Sequence, residues 1–86
     1  MKIKKIHNQL FELELNEVLG NTKSDREKID YMISRCWFLP SGEIIQLLKN
    51  NIPSRVILRC KGIYSIYNLH INIRNTECLI DKIVVE

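Results

Sequence analysis

Residues 54–86 alternate between apolar and polar side chains, and this alternation constrains the fold more than any other feature of the chain. A period of two is typical of β-strands that bury one face. Two turn signals divide the stretch. Gly62 follows Lys61 and allows a positive φ, and Asn75 precedes Thr76 and tolerates the left-handed region. The sequence therefore predicts a three-stranded antiparallel meander with two-residue turns.

These two turns also predict a register, in which Cys60 lies opposite Ile63 and Ile73 lies opposite Cys78. Residues directly opposite each other in an antiparallel pair point to the same side of the sheet. One face then collects an almost wholly apolar set, and a one-residue slip in either hairpin would mix the two faces. We expect this face to be buried. Its members are Val56, Leu58, Cys60, Ile63, Ser65, Tyr67, Leu69, Ile71, Ile73, Cys78, Ile80, Lys82 and Val84.

The other face of the predicted meander carries the candidate binding residues. Basic side chains lie along its first strand, with polar and aromatic side chains beside them. Antiparallel sheets commonly face water on one side, so an ordinary solvated face is one interpretation, and a platform for an anionic or flat partner is the other. The predicted binding residues are Arg55, Arg59, Lys61, Tyr64, His70, Asn72 and Arg74. A homodimer that buries the apolar residues of this face is also consistent with the pattern; these are Ile57, Ile66, Ile83 and Val85.

Two helices are predicted ahead of the meander. Ser24 begins a Ser-Asp-Arg-Glu capping box, and apolar residues follow at helical spacing, which predicts a helix over 24–36. That apolar stripe consists of Ile29, Met32, Ile33 and Cys36. Ser41 is placed to cap a second helix over 42–51, and Ile52-Pro53 turns the chain into the meander.

The N-terminal segment is expected to contribute strand structure. Phe11, Leu13 and Leu15 alternate with two glutamates, which predicts a strand over 10–15. Residues 2–7 fit either a strand paired through an Asn8-Gln9 turn or part of a helix. The whole chain is therefore interpreted as one small α+β domain over residues 1–86 in the order ββααβββ, with both helices on one side of the sheet.

A winged helix is the alternative fold. Residues 39–62 and the hairpin that follows resemble the helix-turn-helix and wing of winged-helix regulators, with Ser54 capping a recognition helix. The resemblance is one of pattern only. It implies that Arg55, Arg59 and Lys61 contact a DNA duplex. The β-branched pair Val56-Ile57 and the alternation in RVILRCK favour a strand instead.

The sequence supports neither a metal site nor catalysis. Its cysteines (Cys36, Cys60 and Cys78) have no recurring spacing and fall on predicted core stripes, and Cys60 and Cys78 are expected on strands too far apart for a disulfide. In the predicted register His70 faces Asp81, the only acid–base couple. No glycine-rich phosphate loop is present. We expect no cofactor and no enzymatic activity.

The sequence also predicts a cytoplasmic protein. The cysteines are interpreted as free thiols, and the sequence has neither an apolar run of membrane-spanning length nor a signal peptide.

Three hypotheses for function follow from these features. The first is a non-enzymatic inhibitor or regulator that binds a protein or nucleoprotein partner through the basic sheet face. With 14 Ile, 8 Asn and no Ala, the composition indicates A+T-rich coding and is compatible with a phage or plasmid origin. The second is direct binding of RNA or DNA, which the net charge of +3 allows. The third, a small hydrolase or nuclease using His70 and Asp81, has the least support.

Overall fold

A computed structural model describes residues 3–18, 23–34, 52–74 and 77–86. Five strands form one sheet in the order β1-β2-β3-β4-β5. Neighbouring strands are antiparallel except β2 and β3, which run parallel. The elements are β1 (Lys4–His7), β2 (Leu10–Glu14), a 3₁₀ helix (Leu15–Glu17), α1 (Asp25–Ser34), β3 (Arg55–Lys61), β4 (Ile66–Arg74) and β5 (Glu77–Val85).

The predicted ββααβββ fold is wrong. The described ranges contain one α-helix and a mixed five-stranded sheet, whose parallel pair the sequence did not reveal. Parallel strands need a long crossover connection, and the chain between β2 and β3 supplies it. The predicted second helix over 42–51 lies outside the described residues. The winged-helix alternative is also wrong, because Arg55–Lys61 forms strand β3 where a recognition helix was required.

The core lies between α1 and one face of the sheet. Alternate residues of β2, β3 and β4 point towards the helix, as the period of two predicts. From α1, Ile29 and Met32 are buried, and Leu15 and Val18 close the end of β2. The buried apolar strand residues are Phe11, Leu13, Val56, Leu58, Cys60, Leu69, Ile71 and Ile73.

Helix α1 begins after Ser24, as the capping box predicts. The Ser24 hydroxyl accepts a hydrogen bond from the Glu27 amide and donates one to the Glu27 carboxylate, both at 3.2 Å. The buried side of the helix differs from the predicted stripe, because Lys28 is buried whereas Ile33 is exposed. The helix is 10 residues long. Within the described ranges no helix is long and apolar enough to cross a membrane.

The β3–β4 hairpin has a four-residue loop instead of the predicted Lys61-Gly62 turn. Lys61 pairs with Ile66, and the Gly62 amide donates to the Ser65 carbonyl at 2.9 Å. Cys60 therefore lies opposite Tyr67, four residues beyond its predicted partner Ile63. The longer loop places Leu58 opposite Leu69 and Val56 opposite Ile71, all of them buried. An even shift leaves every β3 and β4 side chain on its predicted face.

Gly62 lies against the side chain of Asp25, the first residue of α1. A Cβ at this position would collide with the carboxylate of Asp25. A larger residue at position 62 would therefore require the Asp25 side chain to move.

One bulge in each edge strand breaks the strict alternation. In β5, Ile80 pairs with Ile71 as predicted, but Lys82, and not Asp81, pairs with His70, so Asp81 is the extra residue. Beyond the bulge the faces exchange, because one residue has been added to a period of two. Ile83 consequently packs against the core. The predicted register instead placed Lys82 and Val84 on the buried face and Ile83 and Val85 on the other. In β1 the register shifts between Lys5 and His7.

Candidate binding face

The sheet surface opposite α1 is called the open face, because the described residues place no helix on it. Six of the seven predicted binding residues lie on this face. Tyr64 is instead in the β3–β4 loop, where it is 93% exposed. The side chains that strand pairing puts on the open face include Lys4, Leu10, Glu12, Glu14, Arg55, Ile57, Arg59, Lys61, Ile66, Asn68, His70, Asn72, Arg74, Leu79, Lys82 and Val84.

Acidic side chains neutralise one end of the open face. Glu12 lies on β2 next to β3, and its carboxylate oxygens are 3.5 Å from Lys61 Nζ and 3.9 Å from Arg59 Nη1. Glu86 extends the cluster, with one oxygen 3.5 Å from Arg59 Nη2 and the other accepting a 3.0 Å hydrogen bond from Asn68 Nδ2. Two of the predicted binding residues are therefore held in ion pairs within the chain.

Arg59 is the centre of this cluster and is only partly exposed. It contacts two carboxylates, whereas its Nε is buried without a hydrogen-bond partner among the described residues. A guanidinium held in this way is less free to reach an external anion. Sequence reasoning missed both acidic partners. The Glu12 contact depends on the parallel pairing of Glu12 with Arg59, which periodicity does not reveal.

The opposite end of the face, called the Arg55 end, presents positive and polar groups on adjacent strands. It consists of Arg55, His70, Asn72, Arg74 and Lys82. Arg55 pairs with Asn72 across β3 and β4, and His70 pairs with Lys82 across β4 and β5. Arg55 and Arg74 are exposed. Within the described ranges no ion pair involves Arg55 or Lys82, and Arg74 lies opposite Glu77 in the β4–β5 register.

A shallow depression of about 240 Å³ lies at the Arg55 end. Its lining combines two cationic side chains and an imidazole with one carboxylate and one amide. The side chains that give it this character are Gln9, Arg55, His70, Asp81 and Lys82. This composition suits a polar, negatively charged group of a partner better than an apolar ligand.

The predicted His70–Asp81 cross-strand pair is not formed. The β5 bulge places Lys82 opposite His70, and Asp81 lies beside them in the lining of the same depression. Among the described residues no hydrogen bond joins His70 to Asp81. The register therefore differs from the predicted one at His70, whereas His70 and Asp81 still line the same depression.

Apolar side chains adjoin the charged groups of the open face. Leu79 is 52% exposed and Val84 is 41% exposed, whereas Ile57 and Ile66 are half-buried. The predicted apolar set for this face is thus corrected, because the bulge moves Ile83 towards the core and brings Val84 out.

The thiol of Cys60 belongs to the core and not to a site. It is buried and free, and burial raises its pKa to about 12, which keeps it protonated and poorly nucleophilic. β4 separates the strands that carry Cys60 and Cys78, which fits the prediction that the two do not form a disulfide. In the part of the chain that the structure describes, no three His, Cys, Asp or Glu side chains converge as a metal site.

Comparison of the chain with protein-family models, with curated proteins and with solved structures found no match.

Proposed function

We propose that the chain is a non-enzymatic binding protein of the cytoplasm that inhibits or regulates a protein or nucleoprotein partner through its open face. One observation carries the proposal. The cations Arg59 and Lys61 are held by acidic groups of the chain, whereas no ion pair holds Arg55 within the described ranges. The proposed contact surface is therefore the Arg55 end. A phage or plasmid origin belongs to the same proposal and is supported by composition alone.

The partner surface is proposed to be acidic with an apolar margin. Arginine is enriched among residues that dominate binding energy, and Arg55 and Arg74 are both exposed. Complementary charge speeds association and fixes register, while buried apolar area supplies much of the affinity. Leu79 and Val84, which flank the charged groups, provide that apolar area.

Site-specific photo-crosslinking tests the proposal. A photoreactive residue at position 72 lies in the middle of the Arg55 end, and the same residue at position 26 lies on α1, behind the sheet. Arg26 is a matched control because its side chain is 79% exposed. The expected result is a defined crosslinked partner from position 72 and not from position 26. Equal crosslinking from both positions, or from position 26 alone, would exclude the open face as the binding surface.

Binding of single-stranded nucleic acid is the second candidate. It is favoured by the 93% exposed Tyr64, whose ring can stack on a base beside the end of β3. The open face itself offers His70 but, among the described residues, no Phe, Tyr or Trp, because Tyr67 packs on the core side. This scarcity of stacking groups places nucleic acid second. Duplex recognition by a winged helix is no longer proposed.

A fluorescence-anisotropy titration at two salt concentrations separates the two candidates. Binding of single-stranded RNA or DNA that weakens steeply with salt, and is lost in both Tyr64→Ala and Arg55→Gln, would establish the second candidate, because counterion release sets the salt slope. We expect no saturable binding to single strands.

A further inference from the structure

In the described part of the sheet, the β5 strand is the longer of the two uncovered edges. It runs for nine residues, Glu77–Val85, whereas the opposite edge strand β1 has only four. Three of the exposed large apolar side chains lie on β5, namely Leu79, Val84 and Val85. A long apolar edge presents unpaired backbone groups and is a template for pairing with another strand.

Two hydrogen bonds identify which β5 residues face this edge. The Glu86 amide donates to the Ile66 carbonyl of β4, and the Ile73 amide donates to the Ser54 carbonyl on the β3 side. Backbone polar groups point alternately to either side of a strand, so even-numbered residues of β4 bond to β5 and odd-numbered ones to β3. It follows from the β4–β5 register that Cys78, Ile80, Ile83 and Val85 direct their backbone amides and carbonyls outward.

The sequence around the β5 bulge is self-complementary. In the segment LIDKIV, a two-fold axis between the third and fourth residues matches each residue with a compatible one in a second copy. The pairs are Leu79 with Val84, Ile80 with Ile83, and Asp81 with Lys82. The first pair is apolar and exposed, the second aligns outward-facing backbone groups, and the third joins opposite charges.

The bulge makes this antiparallel pairing geometrically consistent. In a regular strand Ile80 and Ile83 would point to opposite faces and could not lie opposite each other. With Asp81 as the extra residue, both lie on the core side, while Leu79 and Val84 both lie on the open face. The two apolar pairs that match by chemistry therefore also match by face and by the direction of their backbone groups.

We propose that a second copy of the chain pairs with β5 in this register and forms a two-fold symmetric dimer with a continuous ten-stranded sheet, twice the five strands of one chain. Each Ile80–Ile83 pair exchanges backbone hydrogen bonds across the interface. Each Asp81 lies opposite Lys82 of the second copy. Since the axis is perpendicular to the sheet, both open faces lie on the same side. The inference does not depend on the proposed function.

Charged residues on an edge strand often prevent such pairing, and here they select the register. With Lys82 opposite Lys82 of the second copy, like charges would oppose each other, as they would with Asp81 opposite Asp81. Only the register centred between these two residues pairs both with opposite charges. The short β1 edge, with the sequence KKIH and an irregular register, lacks this self-complementarity.

Charge exchange tests the dimer without disturbing the core, because Asp81 and Lys82 are both exposed. Sedimentation equilibrium is measured for the wild type, Asp81→Lys, Lys82→Asp and an equimolar mixture of the two variants. Each single variant places like charges opposite each other twice, which is expected to weaken dimerisation about ten-fold.

The mixture is the matched control for these two variants. In a mixed dimer the lysine introduced at position 81 of one chain would face the aspartate introduced at position 82 of the other. The native Lys82 and Asp81 of the two chains would also face each other. Both contacts then join opposite charges, so the mixture should regain the wild-type association. Circular dichroism checks that both variants are folded.

The outcomes are distinct. A wild-type chain that stays monomeric at high-micromolar concentration overturns the proposal. A dimer that is unaffected by either single variant also overturns it, because another surface must then mediate association. Loss in the single variants with recovery in the mixture supports the β5 register.

Discussion

Glu12 and Lys61 form an ion pair between β2 and β3, with a carboxylate oxygen 3.5 Å from Nζ. The other carboxylate oxygen lies 3.9 Å from Arg59 Nη1, so one acid serves two of the bases that sequence reasoning placed in the binding site. The pair exists because β2 lies parallel to β3 with Glu12 opposite Arg59. It divides the open face into a neutralised end and the Arg55 end, and this division directs the proposed contact to the Arg55 end.

Glu12→Gln is expected to lower the free energy of unfolding by about 1 kcal/mol, because two partly exposed ion pairs lose their acceptor charge. The loss should be larger at low salt than at high salt, since screening weakens the pairs in the wild type. Urea unfolding at two salt concentrations measures it. Glu14→Gln is the control, because Glu14 is exposed and forms no ion pair within the described ranges. Equal effects of the two substitutions would contradict the Glu12 assignment.

Ile83→Ala and Val84→Ala test the β5 bulge directly. With Asp81 as the extra residue, Ile83 packs against the core and Val84 is 41% exposed. We expect Ile83→Ala to cost about 2 kcal/mol of stability, because Ile83 is only partly buried, and Val84→Ala to cost less than about 0.5 kcal/mol. Strict alternation without a bulge predicts the reverse order. Chemical denaturation of the two variants therefore distinguishes the two registers.

Stability should fall with rising pH above 9 because of Cys60. Burial raises the pKa of its thiol from 9.0 to about 12, so the folded chain keeps the proton over a range in which the unfolded chain loses it. The contribution is complete below pH 9 and is lost as the pH rises towards 12, with a limiting slope of about 1.4 kcal/mol per pH unit. Cys60→Ala should show a shallower decline over the same range. Parallel slopes for wild type and variant would refute the burial effect.

Periodicity predicted which residues share a face better than it predicted which residues pair. The β3–β4 register differs from the predicted one by four residues, yet Val56, Leu58 and Cys60 are buried as expected, because an even shift preserves the faces. The Asn75-Thr76 hairpin placed Ile73 opposite Cys78, as the structure confirms. Turn chemistry alone overestimated the Lys61-Gly62 signal, since Lys61 pairs with Ile66 across a four-residue loop.

Other features had no local signal in the sequence. The bulge at Asp81 keeps Lys82 off the buried face. This role becomes apparent only when the pairing of β4 with β5 is known. The parallel alignment of β2 with β3 joins segments distant along the chain, as in Glu12 with Arg59. This alignment brings Glu12 to Arg59 and Lys61 and neutralises them. The sequence could therefore predict which face carries the candidate site, but not which end of that face.

Partner binding by charge-neutralised variants tests the central claim most directly. Arg55→Gln/Arg74→Gln removes two charges from the Arg55 end, and Lys23→Gln/Arg26→Gln removes two from the opposite side of the sheet. With the partner identified by crosslinking, the first double variant should bind at least about ten-fold more weakly than the wild type, and the second should bind like the wild type. Equal affinity of the two double variants would contradict the assignment of the open face as the functional surface.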